Sequence, residues 1–168
     1  MQRIIDLAEK MRDEYGGRTI FDTAENSGVI VWYRKLGGLK GFYVFENGSR
    51  YIVINDELDE IMKKAVCAHE LGHDQLHREL SVGAIRDNTL FLKTNKTERE
   101  ANLFAAQILL RDDVVLSELK YNNNVEAVAY ELGVPVELLE YKLEILAYQG
   151  HDVHFTDVDN SFLKYERK

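Results

Sequence analysis

The chain has 168 residues, nearly half of them hydrophobic, a formal net charge of −8 and one cysteine. This length suits a single domain that buries its own core, and one cysteine excludes both an internal disulfide and a zinc site built from several cysteines. The acidic balance argues against nucleic acid as a direct ligand, because phosphate contacts depend on lysine and arginine.

The N-terminal segment predicts a helix. Apolar residues from Ile4 to Tyr15 recur at helical spacing, and Gly16-Gly17 ends the pattern. This charged segment lacks the apolar stretch and the small-residue cleavage site of a signal peptide. Since no apolar run in the chain reaches the roughly 18 residues that span a membrane, we expect a cytoplasmic protein without a membrane segment.

Three short segments that follow, 29–34, 42–46 and 50–55, are rich in β-branched and aromatic residues and therefore predict strands. Asn47-Gly48 separates the last two segments, which is typical of a tight hairpin. We therefore expect a small sheet that is at least partly antiparallel.

From Asp56 the pattern is helical again, and its apolar stripe continues through His69 and His73. A less regular stretch covers residues 80–96, and a further helix is predicted over 97–110. Three more helices are predicted in the C-terminal part, each with a capping or breaking residue at its boundary: after Asp112 or Asp113, over 125–132 between the asparagine tract 122–124 and Gly133, and from Pro135 to about Tyr148.

These elements predict an α+β fold in one domain, residues 1–168. The N-terminal helix and sheet occupy 1–56, and the helices that carry the chemistry described below occupy 57–111. The C-terminal helices and a tail of mixed character occupy 112–168.

The segment His69-Glu70-Leu71-Gly72-His73 has the pattern H-E-x-x-H. Residues four apart on a helix are neighbours on one face, so His69 and His73 can bind one zinc ion. Glu70 lies to one side, where it can take a proton from the water that such an ion activates. A single histidine on an apolar stripe is usually a core residue, but two of them with a carboxylate would be costly to bury without a metal.

His77 continues the series by one more turn, which is too far along a regular helix for the same metal. It therefore supports a ligand, faces the substrate side or is exposed. The arrangement of metzincins is disfavoured, because Leu76 and Glu79 stand where that class has glycine and histidine.

The predicted helix 97–110 is the natural source of a third ligand, and it offers Glu98 and Glu100. We prefer Glu98, because it shares a helical face with alanines that would let the two helices approach closely. Asn102, one turn later on that face, could hydrogen-bond a ligand. Both carboxylates also suit a solvated first turn, where the helix dipole favours negative charge.

The chain resembles the ImmA/IrrE metallopeptidases of bacteria, phages and mobile elements. The similarity includes AVCAHELGHDQLH at 65–77 and TEREANLFAAQILL at 97–110, and it extends to residues 37–55 and 125–146. Residues 109–112, Leu-Leu-Arg-Asp, depart from the family's Leu-Leu-Met-Pro-like turn without affecting the proposed ligands.

This resemblance implies a small sheet packed on a zincin-like helical core, with His69, His73 and Glu98 on zinc and Glu70 as general base. It also implies a regulatory protease that inactivates a helix-turn-helix repressor of a phage or mobile element. The sequence leaves the cleavage site, the activating signal and the oligomeric state open.

Two alternative functions remain. The helices within 127–146 resemble a helix-turn-helix, so the chain could be a DNA-binding regulator with a structural zinc. Against this, the second helix of the pair carries Lys142 as its only cation. The other alternative is an anti-repressor that binds its partner without cutting it, although a purely structural zinc site would need no general base.

The sequence gives only general indications of where a substrate would bind. An exposed edge, strand 42–46 or 50–54, could pair with an extended peptide. Tyr130 and Tyr141 could stabilise an oxyanion, but aromatic residues at helical spacing are more often packing residues. His151 and His154 could bind a metal, but two histidines in a tail are weak evidence for such a site.

Overall fold

The computed structural model describes residues 1–78, 95–122 and 124–153 and, as backbone, residues 85–87. The elements within these ranges, in chain order, are α1 Gln2–Tyr15, α2 Ile20–Asn26, β1 Ile30–Arg34, β2 Gly41–Glu46, β3 Ser49–Asn55, α3 Glu60–His77, β4 Ile85–Asp87, α4 Lys96–Leu109, α5 Asp112–Leu119, α6 Val125–Leu132 and α7 Val136–Tyr148. The predicted α+β class is confirmed. Among the described residues, no helix has both the length and the apolar character to cross a membrane.

The sheet is mixed, which confirms the prediction of a sheet that is at least partly antiparallel. Its strand order is β1-β3-β2-β4, in which β1 runs parallel to β3 while β2 runs antiparallel to β3 and β4. Asn47 and Gly48 have φ values of 50° and 78°. Left-handed backbone at both positions is the geometry that an Asn-Gly hairpin turn requires, so the turn residues set the β2–β3 register.

Helix α3 lies between two packing surfaces. One side packs on β2 and β3, where a Cβ atom on Gly41 would overlap with Cγ1 of Val66. The other side packs on α4, which also contacts α1 and α7. The histidines of α3 are therefore held in the interior of the molecule, where α3 packs between the sheet and α4.

Several boundaries differ from the sequence-based prediction. Helix α2 was not predicted, although Thr19 and Asp22 form a capping box at its start. Helix α3 begins at Glu60, because the side chain of Asp59 accepts a hydrogen bond from the Met62 amide. Neither Asp112 nor Asp113 caps α5: both lie in its first turn. Pro135 precedes α7 as its N-cap residue.

The irregular stretch predicted over 80–96 lies largely outside the described residues, as does the tail beyond residue 153. Within that stretch, the backbone of β4 pairs with β2, from Gly41 opposite Asp87 to Tyr43 opposite Ile85. This strand was not predicted, since three residues are too few for an alternating pattern to be recognised.

Candidate metal centre

Helices α3 and α4 bring three candidate metal ligands into contact. His69 and His73 lie one turn apart on α3, with their Nε2 atoms 3.1 Å apart. Glu98, in the first turn of α4, has carboxylate oxygens 3.2 Å from Nε2 of His69 and 3.3 Å from Nε2 of His73. All three side chains are buried, and their ligand atoms lie close enough together to hold one metal ion.

The chemistry of this group fits a transition metal. Two imidazole nitrogens and one carboxylate oxygen match the protein ligands of open zinc sites, which keep a position for water or substrate. Nitrogen lone pairs and carboxylate oxygens repel one another in a buried space, and a cation among them removes that repulsion. We name the three residues His69, His73 and Glu98 the metal-ligand cluster.

Small residues at the α3–α4 contact explain why these side chains meet. A Cβ atom on Gly72 would lie 3.0 Å from Cα and 3.1 Å from the carbonyl oxygen of Ala101. Ala101 and Ala105 are fully buried on the facing side of α4. The expectation that alanines allow close approach of α4 is therefore confirmed, with Gly72 as their counterpart on α3.

Asn102 contacts the ring nitrogen of His69 that does not face the metal-ligand cluster. Its Oδ1 lies 2.8 Å from Nδ1 of His69, and its Nδ2 donates to the hydroxyl of Tyr141 at 3.4 Å. With the amide oriented this way, His69 donates its Nδ1–H to Asn102 and presents the Nε2 lone pair to the cluster. The contact that the sequence predicted for Asn102 is confirmed.

Glu100 and His77 lie behind His73. Nδ1 of His77 is 3.2 Å from Nδ1 of His73, and Nε2 of His77 is 3.0 Å from Oε2 of Glu100. Of the two candidate carboxylates, the structure thus brings Glu98 to the histidine pair and Glu100 to His77. His77 is 6% exposed, so the solvent-exposed alternative for it is wrong. Burial lowers the pKa of His77, and the hydrogen bond to Glu100 opposes this shift.

Glu70 and Cys67 share the buried part of α3. Glu70 is 2% exposed and lies next to His69 in the chain, outside the group of residues whose ligand atoms converge. Burial, and to a smaller extent the charge of Glu70, raises the pKa of the Cys67 thiol. Cys67 therefore stays protonated and packs in the core rather than acting as a nucleophile.

The matches to known proteins cover most of this structure. The family model of the IrrE N-terminal-like domain, a peptidase family, matches residues 24–144. The chain belongs to the ImmA/IrrE family. It is 39% identical over 117 residues to the uncharacterized immunity region protein 2 of Bacillus phage phi105, an alignment that covers 70% of this chain and 73% of that protein.

A second ImmA/IrrE relative carries an enzyme name. The chain is 28% identical over 133 residues to the metallopeptidase ImmA of Bacillus subtilis strain 168, covering 77% of each protein. The family match contains both helices of the metal-ligand cluster. A metallopeptidase family implies a metal ion, and the buried cluster is where this chain could bind it.

The predicted substrate edge is wrong for segment 50–54, because β3 lies between β1 and β2. Strand β4 pairs with β2 only from Gly41 to Tyr43, so among the described residues the segment 44–46 pairs on one side, with β3. The outer strands of the sheet, as far as the structure describes it, are β1 and β4. A sequence shows that a strand exists, but its neighbours depend on contacts with distant segments.

The other candidate residues lie outside the metal-ligand cluster. Tyr141 is buried behind Asn102, where it accepts the hydrogen bond described above, and Tyr130 is 79% exposed. His151 is exposed, while His154 lies outside the described residues. Neither tyrosine was included among the predicted catalytic residues, and the packing alternative suits Tyr141.

Sequence reasoning missed a buried ion pair one turn beyond Glu70. Asp74 is fully buried, and its Oδ2 lies 3.1 Å from Nη1 of Arg50 on β3 and 3.3 Å from Nη2 of Arg78. Burial and the adjacent Asp74 carboxylate raise the pKa of the Tyr43 phenol. The pair ties α3 to the sheet, but no local sequence signal connects Arg50 with Asp74.

Proposed function

We propose that this chain is a zinc-dependent metallo-endopeptidase. The observation that carries the proposal is the buried contact of His69, His73 and Glu98 across α3 and α4. Its support is chemical, since this ligand set with a neighbouring glutamate suits metal-assisted hydrolysis.

In this proposal His69, His73 and Glu98 hold zinc, which when bound makes a water molecule more acidic and polarises the peptide carbonyl. Glu70 accepts the proton that the attacking water loses and delivers it to the amine of the leaving peptide. Asn102 holds the His69 ring through its Nδ1–H, at 2.8 Å. The 2% exposure of Glu70 limits the access of bulk water to this carboxylate.

As the substrate we propose a helix-turn-helix repressor of a phage or mobile element, cut at a specific site in the cytoplasm. Support comes from the resemblance to regulatory proteases and from the immunity region named for the phage phi105 relative. Strand β4, at an edge of the sheet, is the proposed partner for an extended segment of the substrate.

The DNA-binding alternative is disfavoured by the position of Lys142. This only cation of α7 is fully buried, and its ammonium group donates to Gln107 and Asp112. A recognition helix must present donors to bases and phosphates, whereas α7 buries its cation and packs against α4.

Metal content is the first test. The purified protein should contain about one zinc per chain, and His69→Ala or His73→Ala should contain almost none. Circular dichroism of each variant checks that the fold is retained. A parent protein that takes up no zinc, even when zinc is supplied, would overturn the proposal.

Cleavage distinguishes an enzyme from a binding module. The zinc protein should cut the repressor encoded beside its own gene, and Glu70→Gln should keep its fold and zinc but cut about 10²–10⁴-fold more slowly. If zinc is bound but neither protein cuts the repressor, while both bind it, the non-catalytic anti-repressor is the better description. Unchanged cleavage by Glu70→Gln would refute the general-base assignment.

A further inference from the structure

We infer that His77 is a positioning residue for the metal site: it fixes the ring of His73 and links it to the carboxylate of Glu100. This inference rests on the proposed zinc site and assigns a role to a residue outside the H-E-x-x-H pattern. The three side chains form a continuous chain of contacts, with Nδ1 of His73 3.2 Å from Nδ1 of His77 and Nε2 of His77 3.0 Å from Oε2 of Glu100.

The direction of the hydrogen bonds follows from the two ends of this series of contacts, His73 and Glu100. If Nε2 of His73 binds a metal, the neutral ring carries its proton on Nδ1 and donates it to His77. At the other end, an ionised carboxylate only accepts, so His77 must carry its proton on Nε2 and donate it to Glu100. Both requirements give His77 the same tautomer, with Nδ1 as acceptor and Nε2–H as donor.

Burial makes this arrangement specific. His73 is fully buried and the side chain of His77 is 5% exposed, so water competes little for their ring nitrogens. The side chain of Glu100 is 30% exposed, and Lys96 approaches its other oxygen at 3.8 Å. The negative charge of Glu100 thus lies at the surface end of this series of contacts, where the carboxylate stays hydrated. From there it polarises the two buried histidines toward the metal site.

The two metal-binding histidines are therefore supported differently. His69 donates to the neutral amide of Asn102, whereas His73 donates to a histidine that is itself bonded to a carboxylate. A ligand that donates to a carboxylate, directly or through a second ring, becomes more basic and binds the metal more tightly.

A matched pair of substitutions separates the two contacts of His77. In His77→Asn the side-chain amide lies at the level of Nδ1 and can accept from His73 without reaching Glu100. In His77→Gln the longer side chain reaches Glu100 but provides no acceptor near Nδ1. We expect zinc affinity, measured by competition with a chromophoric chelator, to fall about 10–100-fold in His77→Gln and His77→Ala. In His77→Asn most of this affinity should be retained.

Two further measurements exclude a merely structural explanation. The absorption spectrum of the Co²⁺ form should change in His77→Gln and stay near that of the parent in His77→Asn. Thermal unfolding of the metal-free variants should not follow the order of their zinc affinities. On α4, Glu100→Ala should lower zinc affinity by a few-fold, while the control Lys96→Ala should leave it unchanged.

Equal zinc affinities for the Asn and Gln variants would overturn this inference and leave the proposed zinc site intact. A parent protein without zinc affinity would overturn both, so the two failures are distinguishable.

Discussion

Two largely buried polar clusters each include one residue of α4. They differ in whether the atoms that meet are all acceptors or are donors paired with acceptors. The metal-ligand cluster brings two imidazole nitrogens and a carboxylate together at 3.1–3.3 Å. The second, here named the lysine cluster, consists of Lys142, Gln107 and Asp112. There donors alternate with acceptors, since the ammonium group of Lys142 donates to both partners and Gln107 also donates to Glu9 at 3.0 Å.

This difference shows that burial of polar groups does not by itself indicate function. Atoms of the lysine cluster satisfy each other, so its effect is to join α4, α5 and α7. In the metal-ligand cluster the converging atoms are acceptors once each ring donates its Nδ1–H outward. Convergence of acceptors is therefore the feature that indicates a bound cation, and each prediction below tests this distinction.

The largest expected effect is the loss of metal on changing Glu98. Glu98→Gln keeps the shape of the side chain but removes the charge, so we expect zinc content to fall from about one per chain to a small fraction. Glu100→Gln, two residues away, is the matched comparison: it should retain most of its zinc, because only a few-fold loss of zinc affinity is expected at Glu100. Atomic absorption after dialysis measures both. Equal zinc content in the two variants would mean that the convergence seen at Glu98 does not identify a ligand.

Changing Lys142 should have the opposite effect: it should lower stability and leave zinc content unchanged. Lys142→Met removes the buried ammonium group. Oε1 of Gln107 then loses its donor, and Asp112 keeps only the side-chain amides of Gln107 and Gln149 as donors. We expect the free energy of unfolding to fall by about 3 kcal/mol. Urea unfolding measures this loss. At a temperature where the variant is still folded, its zinc content should stay at the parent level. Loss of zinc from the folded variant would show that the two clusters are coupled through α4.

The two clusters also differ in how far the sequence could predict them. His69, Glu70 and His73 are predictable because a helix places residues four apart on one face, and Glu98 followed from the small residues on its own face. The lysine cluster joins positions 107, 112 and 142, and no local pattern relates these positions to one another. The same limit explains why the inner position of β3 was missed, whereas the Asn47-Gly48 turn was correctly predicted.

An intermediate effect is expected for Gly72→Ala, which acts on the helix contact that forms the metal-ligand cluster. The added methyl group would lie 3.0 Å from Cα of Ala101, so α3 and α4 must separate by a few tenths of an ångström. Overpacking of this kind costs about 1–3 kcal/mol, against a gain of up to about 1 kcal/mol in helix propensity. We expect a modest loss of stability in urea together with weaker zinc binding, since Glu98 moves with α4. Unchanged zinc affinity would indicate that the cluster tolerates helix displacement.

The smallest expected effect is a pH dependence carried by Asp112 in the lysine cluster. Burial raises the pKa of its carboxyl, but the hydrogen bond and charge of Lys142, together with hydrogen bonds from Gln149 and Gln107, outweigh burial and lower the pKa below the usual 3.8. The folded state therefore binds this proton less tightly than the unfolded chain, so the stabilisation is present above pH 3.8 and is lost as the pH falls through the folded-state pKa. Burial lowers the pKa of Lys142, yet this group stays protonated in both states at acidic pH and adds no slope there.

Comparison with Asp112→Asn isolates this contribution. Urea unfolding of the metal-free proteins from pH 5 to pH 3 should show a steeper loss of stability in the parent, by no more than about 1.4 kcal/mol per pH unit for one proton. A chelator removes metal from both proteins, so the difference between the two curves reports on Asp112 and not on metal binding. Parallel pH curves would mean that Asp112 gains nothing from Lys142 on folding. The lysine cluster would then have to be held together by the hydrogen bond from the Lys142 ammonium group to the uncharged amide of Gln107 rather than by an ion pair.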